Sequence, residues 1–404
     1  MTEPRNTRYY SLDAWRGLAC LIVVIFHANV YGATPELVDA VRTGAANSVT
    51  EYLLFLTTRF WYGVPLFFVI SGYCIAASVD RHRQQASSVK NYFMRRFRRI
   101  FPTLWAFLLI ALPLTAAIAM VAPLLMNDGV QSFWAPWWFS GWQWLGSLTL
   151  TETWRYHLIG DARSLLFGHL WTLCYEEQFY AVTGLCLFLA PKHFYRTIAG
   201  ITAIVAALTV LVPSHPALRG FFFDGLWLQF AAGVGVYQVL IHGNRKQSGI
   251  LVGVLLAASL HQLLQMKSYW DLDHHLHESN VVAFLFAILL VSLHRFDSVI
   301  ARQRLVAPLT GCGLACYSIY LVHAPIVKGL SHALYLLGFT SRVDTLLVTI
   351  PSCLVVSVVL GKMFHRGVEQ RFLNSSPVPS PVRAADSNSS TEREPAPIAK
   401  PATV

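Results

Sequence analysis

The stretch LDAWRGLACLIVVIFHANV, Leu12 to Val30, decides how this chain is read. An apolar run of this length is a membrane-span candidate, because roughly 20 such residues cross a hydrocarbon core of about 30 Å. Yet it carries Arg16 and His27. Ionisable side chains inside a membrane helix are costly, and they point into a protein interior or an aqueous cavity where they serve a pathway or a reaction. At about 100° per residue, a separation of eleven positions returns to within roughly 20° of the same face. The rise of about 1.5 Å per residue sets the two side chains roughly 16 Å apart along the axis. They share a stripe without touching, and they suit opposite ends of one long ligand.

Composition fixes the class around that helix. Of 404 residues, 55% are hydrophobic and 13% charged, with a mean hydropathy of +0.48. This balance excludes a soluble domain of the same length and gives an all-α, polytopic membrane protein. Arg5 and Arg8 precede the first helix as they would a signal peptide. Its long run is interrupted by Arg16 and His27 and followed by further spans, so it reads as retained. The net charge of +10 does not point to nucleic acid, since the basic residues gather in short loops. The seven cysteines, Cys20, Cys74, Cys174, Cys186, Cys312, Cys316 and Cys353, fall almost entirely inside apolar segments without a CxxC. They read as core residues, with no disulfide framework and no metal site.

About ten transmembrane helices follow from the apolar windows, at 12–32, 60–79, 101–125, 168–190, 198–213, 221–241, 249–265, 280–294, 309–332 and 345–364. The basic loops DRHRQQASSVKNYFMRRFRR (80–99), PKHFYR (191–196), HGNRKQ (242–247) and HRFDSVIARQR (294–304) all fall on one side of that arrangement. By the positive-inside rule that side is cytoplasmic, which places both termini inside. Residues 1–372 form one membrane domain, and 373–404, rich in Pro, Ser and Ala, reads as a disordered cytoplasmic tail. On the opposite side, Trp134, Trp137, Trp138, Trp142 and Trp144 crowd into FWAPWWFSGWQWLGSL. They read as an interfacial belt, with a sugar-stacking platform as the alternative. His274, His275 and His277 with Asp271 and Asp273 lack the spacing of a metal site.

Four further polar constellations interrupt the spans. RRFRRIFPTLW places Arg95, Arg96, Arg98 and Arg99 before Pro102. The run serves as a topology anchor or, at a helix N-terminus, as a polyanion site. GVPLFFVISGY sets Ser71, Gly72 and Tyr73 near mid-membrane, where a small residue also permits close helix packing. GHLWTLCYEEQFY carries His169, Trp171, Glu176 and Glu177, and two carboxylates at this depth are hard to explain by packing alone. YSIYLVHAP contributes Tyr317, Tyr320 and His323; a histidine there reads as an interior residue or as part of the site.

Taken together, Arg16 and His27 at R-x10-H, FFVISGY, RRFRRIFPTLW, HLWTLCYEEQFY, YSIYLVHAP and the closing HRGVEQRF with Glu369 resemble the acyltransferase-3 family of integral membrane acyltransferases. The match runs in family order from about residue 9 to 372 and is specific as a set. The resemblance implies transfer of acetyl or another short acyl group from acyl-CoA to a hydroxyl of an envelope or exported glycan. Acetyl-CoA or another acyl-CoA is then a donor substrate, and no cofactor is permanently bound. Pro65 stands where many relatives have Asp, and Thr172 and Cys174 where serines are frequent. Some relatives carry an added extracytoplasmic hydrolase-like domain; without it, the acceptor falls to the membrane domain itself.

On this reading Arg16, Arg96 and Arg99 form an inner cationic layer for CoA, while His27, Glu176 and Glu177 form an outer reacting layer. Ser71, Tyr73, His169, Trp171, Tyr320 and His323 are expected to contact substrate. His27 reads as the general base that deprotonates the acceptor hydroxyl, with Glu176 or Glu177 orienting it or binding the acceptor; a transient acyl carrier is the alternative. The expected setting is the inner (plasma) membrane, with the lipid bilayer and polysaccharide-assembly proteins as partners and no nucleic acid. A proton-coupled secondary transporter is the competing class, since buried Arg, His and Glu serve such proteins too.

Overall fold

The computed structural model describes residues 9–30, 48–85, 88–121, 135–160, 166–212, 218–266 and 275–373. Arg5, Arg8, Trp134, Asp271, Asp273, His274, the side chain of His275 and the 374–404 tail lie outside the described residues. In chain order the main helices are α1 (Leu12–Val30), α2 (Val49–Thr58), α3 (Gly63–Gln84), α4 (Val89–Val121), α5 (Gly141–Thr149), α6 (Glu152–Ile159) and α7 (Trp171–Leu189). They continue as α8 (Phe194–Leu211), α9 (Trp227–Ile241), α10 (Arg245–Gln265), α11 (His275–Leu293), α12 (Asp297–Arg302), α13 (Ala307–Leu314), α14 (Cys316–Leu336) and α15 (Ile350–Phe364). Among the described residues, seven helical stretches are long and apolar enough to cross a membrane, or eight if the bent pair of α13 and α14 is one span. Helix α9 is shorter, and α7 carries Glu176 and Glu177 within its 19 residues. Over their described residues the ten expected segments are largely helical, 221–241 only from Trp227 and 309–332 as two helices, in an all-α, multi-pass membrane protein.

Local chemistry sets the ends. Ser48 caps α2 by accepting from the Glu51 N–H, and capping boxes of Ser140 with Gln143 and Asn244 with Gln247 open α5 and α10. Two differences from the expected spans matter for the site. Helix α4 begins at Val89, so the arginine run sits on the same continuous helix as the span behind it. The expected span 309–332 is broken at Ala315, where α13 and α14 meet at 76°. That break turns Cys316 and Tyr317 toward the middle of the bundle, and the Tyr317 hydroxyl donates to the Ile100 carbonyl of α4 at 2.8 Å.

Glycine contacts hold the key crossings. A Cβ at Gly17 would lie 1.9 Å from the Leu309 carbonyl oxygen, and one at Gly313 only 1.7 Å from that of Asp13, so α1 and α13 touch backbone to backbone. The same relation joins α3 to α9, where a Cβ at Gly72 would meet the Phe230 carbonyl oxygen at 2.0 Å and one at Gly233 that of Val69 at 1.9 Å. Lipid tails are as apolar as leucine, so helices in a bilayer associate through close packing of this kind. The two crossings fix the backbone directly after Arg16 and Ser71. Beside the second lies an aromatic centre in which Phe179 meets Phe230 at 4.9 Å and Phe68 at 5.5 Å between ring centroids.

Candidate active site

Helices α1, α3, α4, α7 and α14 enclose a cavity of about 310 Å³. Arg16, Arg81, Arg96 and Arg99 all line it. Arg16 is anchored by one nitrogen to Asp13 at 2.8 Å, while the other reaches the Cys74 sulfur. The four-arginine run divides by helical spacing: Arg96 and Arg99, three apart, are half-buried at the cavity, whereas Arg95 and Arg98 are exposed. The Arg96 guanidinium lies 5.1 Å from the Tyr180 ring centroid and 5.8 Å from that of Tyr92. Among the described residues neither Arg96 nor Arg99 is paired with a carboxylate. Facing these cations, Glu176 accepts from the Ser71 hydroxyl at 2.8 Å and from the Tyr180 hydroxyl through the same oxygen.

Phe67, Thr172 and Tyr320 line the cavity on the side of the histidines. Tyr320 donates to the His169 carbonyl and contacts the Thr172 hydroxyl. Its ring lies 5.3 Å from that of His169 and 5.5 Å from that of His323. Three histidines from three helical segments meet here, with ring centroids 4.9 Å apart for His27 and His323 and 5.1 Å for His169 and His323. For His27 and His323 the hydrogen bonds indicate which ring nitrogen carries the proton in the neutral form. The Tyr320 carbonyl lies 2.6 Å from His323 Nδ1 and can only accept, so the proton is on Nδ1 and the lone pair on Nε2. His27 Nδ1 faces the Val23 carbonyl at 2.9 Å and His323 Nε2 at 3.3 Å, both acceptors. Its proton therefore sits on Nδ1, which leaves the His27 Nε2 lone pair available as a base. Among the described residues no group of three His, Cys, Asp or Glu side chains is disposed to hold a metal ion.

The acyltransferase-3 family, described as an acyltransferase domain, matches residues 9–362. The chain belongs to that family. The peptidoglycan O-acetyltransferase OatA of Listeria monocytogenes is 24% identical to this chain over 80% of the chain and 51% of its own length. BcsY of Komagataeibacter xylinus, provisionally named a membrane-bound transacylase, is 26% identical over 95% of the chain and 88% of its own length. The O-acetyltransferase OatA of Staphylococcus aureus is 23% identical over 78% and 50%. The chain thus spans about half the length of the OatA relatives it matches. No solved structure matches it.

Several expected site residues come together and others do not. Arg16, Arg96, Arg99, Ser71 and Glu176 share the cavity, Tyr320 lines its histidine side, and His27, His169 and His323 form the cluster beyond. The expectation that Glu176 or Glu177 orients His27 is corrected, because neither is among its hydrogen-bond partners. The reason is axial distance: seven residues below His169, at about 1.5 Å each, Glu176 lies roughly 10 Å deeper, at the arginine level. Glu177 points to the Arg96 and Tyr92 side, with one oxygen buried and unbonded among the described residues. Tyr73 is two residues from Ser71 and so on the opposite face; it packs against Tyr9 and Tyr237 away from the cavity. Trp171 packs edge-on against Phe68 and Tyr175 and does not line the cavity. The cavity also uses groups the sequence reading passed over: Asp13, Cys74, Arg81 and Tyr180. Three of them had a signal in helical spacing, Asp13 three before Arg16, Cys74 three after Ser71 and Tyr180 four after Glu176.

Proposed function

We propose that this acyltransferase moves an acetyl or other short acyl group from acyl-CoA to a hydroxyl of a cell-envelope or exported glycan. The arginine-lined cavity carries the reading. CoA ends in phosphates, and the planar guanidinium fork matches phosphate oxygens in pairs. A volume of about 310 Å³ is at the lower end of ligand pockets, roughly 300–1,000 Å³. It suits the acyl-pantetheine arm, with the nucleotide phosphates at the mouth beside Arg81, Arg96 and Arg99. Beyond the cavity, His27 Nε2 takes the proton of the acceptor hydroxyl as general base, and the bonds at Nδ1 hold the ring in place. The printed names of the relatives, a peptidoglycan O-acetyltransferase among them, support an envelope glycan as acceptor class.

The setting proposed is the inner (plasma) membrane, with the basic loops and both termini in the cytosol where CoA is made. Proteins that assemble or export the glycan are the partners this chemistry asks for, and no resident cofactor enters it. Family membership disfavours the proton-coupled transporter. The test is acyl transfer from acetyl-CoA by purified protein in detergent, with CoA binding followed by calorimetry. His27→Ala is expected to lower turnover about 10²-fold or more, the least that a positioned proton transfer contributes, while CoA affinity stays. A well-expressed His27→Ala protein with wild-type transfer refutes the base assignment. Absence of CoA binding by the wild-type protein refutes the donor.

A further inference from the structure

We propose that Ser71 is a covalent acyl carrier: its hydroxyl oxygen takes the acyl group from the donor thioester to form an acyl-serine, with Glu176 as its base. The inference rests on the acyl-CoA reading above. A hydroxyl is a weak nucleophile until an adjacent base accepts its proton, and the recognisable sign is a direct hydrogen bond between the two. Ser71 Oγ donates to Glu176 Oε1 at 2.8 Å, and both groups line the arginine cavity. The Tyr180 hydroxyl donates to the same oxygen and fixes the carboxylate in position. Arg16 reaches the Cys74 sulfur, one helical turn from Ser71 on the same face of α3. A guanidinium is therefore placed beside the point where a tetrahedral oxyanion forms.

Separation of the two centres favours a carrier. His27 does not line the cavity, whose histidine side is Phe67, Thr172 and Tyr320. Arg16 and His27 are about 16 Å apart along α1. A thioester entering past the arginines meets Ser71 and stops short of His27. Cys74 is the rival nucleophile in the same cavity; its sulfur accepts from Arg16, and a cation beside a sulfur favours the thiolate, but among the described residues it has no hydrogen bond to a carboxylate or histidine that could take its proton.

The chemistry balances in two halves. Ser71 Oγ attacks the thioester carbonyl carbon while its proton passes to Glu176. The oxyanion collapses, the C–S bond breaks, and CoA leaves as a thiolate that takes a proton from water. In the second half, with Tyr320 swung aside, the acceptor hydroxyl gives its proton to His27 and its oxygen attacks the ester carbonyl. The bond to Ser71 breaks, Oγ leaves with the proton held by Glu176, and His27 returns its own to water.

The experiment incubates the purified full chain in detergent with acetyl-CoA carrying a labelled acetyl group and no acceptor. The expected result is a burst of CoA thiol equal to the amount of enzyme, with one acetyl retained per denatured chain. Peptide mass spectrometry should place it on Ser71, in a bond resistant to neutral hydroxylamine. Ser71→Ala should abolish the labelling. Glu176→Gln should slow it by about 10² to 10⁴-fold, the usual contribution of a general base. His27→Ala should still acquire the label and fail to pass it on. Ser71→Cys keeps a nucleophile at the same place, and its label should become hydroxylamine-sensitive; it serves if the alanine variant does not fold. Label on Cys74 or His27 overturns the proposal, as does acceptor acylation with CoA binding intact and no acylated protein. Failure to bind CoA at all overturns the donor reading instead, and the proposal with it.

Discussion

Replacing Gly17 by alanine tests whether the helix crossing beside Arg16 sets the donor site. An added Cβ there would sit 1.9 Å from the Leu309 carbonyl oxygen, and real Cβ atoms essentially never come within 3.0 Å of a neighbour. Helices α1 and α13 must then part by at least about 1.1 Å. The obstacle is backbone, so no side-chain rotation relieves it. Arg16 is the preceding residue and moves with α1. Overpacking of this kind costs roughly 1–3 kcal/mol of stability, and a misplacement of about 1 Å costs on the order of 10²-fold in rate. Gly17→Ala should therefore lower kcat/KM for acetyl-CoA about 10²-fold while the protein stays folded. Gly253→Ala in α10, with nothing within 4 Å of the new Cβ, is the matched control and should leave activity unchanged. The assay is CoA release with thermal unfolding followed in parallel. A folded Gly17→Ala protein with wild-type kcat/KM refutes the claim that this crossing positions Arg16.

Two further outcomes follow from the arrangement. Joint replacement of Arg96 and Arg99 by alanine should weaken CoA binding, measured by calorimetry, clearly more than joint replacement of Arg95 and Arg98, because only the first pair lines the cavity. Equal effects would reduce the whole run to a topology anchor. For orientation, a cysteine placed at exposed Gln85 should react with a membrane-impermeant thiol reagent only after the cytosolic face is opened, and one at exposed Leu158 should react in intact cells. The reverse pattern inverts the proposed membrane orientation.

Within single helices the sequence was a sound guide. The stripe shared by Arg16 and His27, the pairing of Arg96 with Arg99 and the apolar windows all depend on one helical period, which is fixed by backbone geometry. What crosses between helices was not legible. His27 meets His323 although 296 residues separate them, and nothing in either segment encodes that contact. The level of Glu176 was misjudged because it was placed in one outer layer with His27, although it lies seven residues deeper than His169 along its helical segment. The break at Ala315 hides in an unbroken apolar run, where hydropathy reports length and is silent on a 76° turn. Tyr73 was grouped with Ser71 by proximity in a motif, although two residues along a helix turn a side chain to the other face.

The wall of Phe67 and Tyr320 between the cavity and the histidines also bears on the energy economy of the cell. A polar path joining four arginines to three histidines without interruption would be a conductor for protons. Each unit charge crossing a membrane held at 100 mV dissipates about 2.3 kcal/mol of stored work. Tyr320, tied to the His169 carbonyl and in contact with the Thr172 hydroxyl, stands between the two polar basins, which share no open cavity among the described residues. Under the proposed reaction, such a division would let a reactant be drawn from one compartment and passed toward the other without an open polar channel between them.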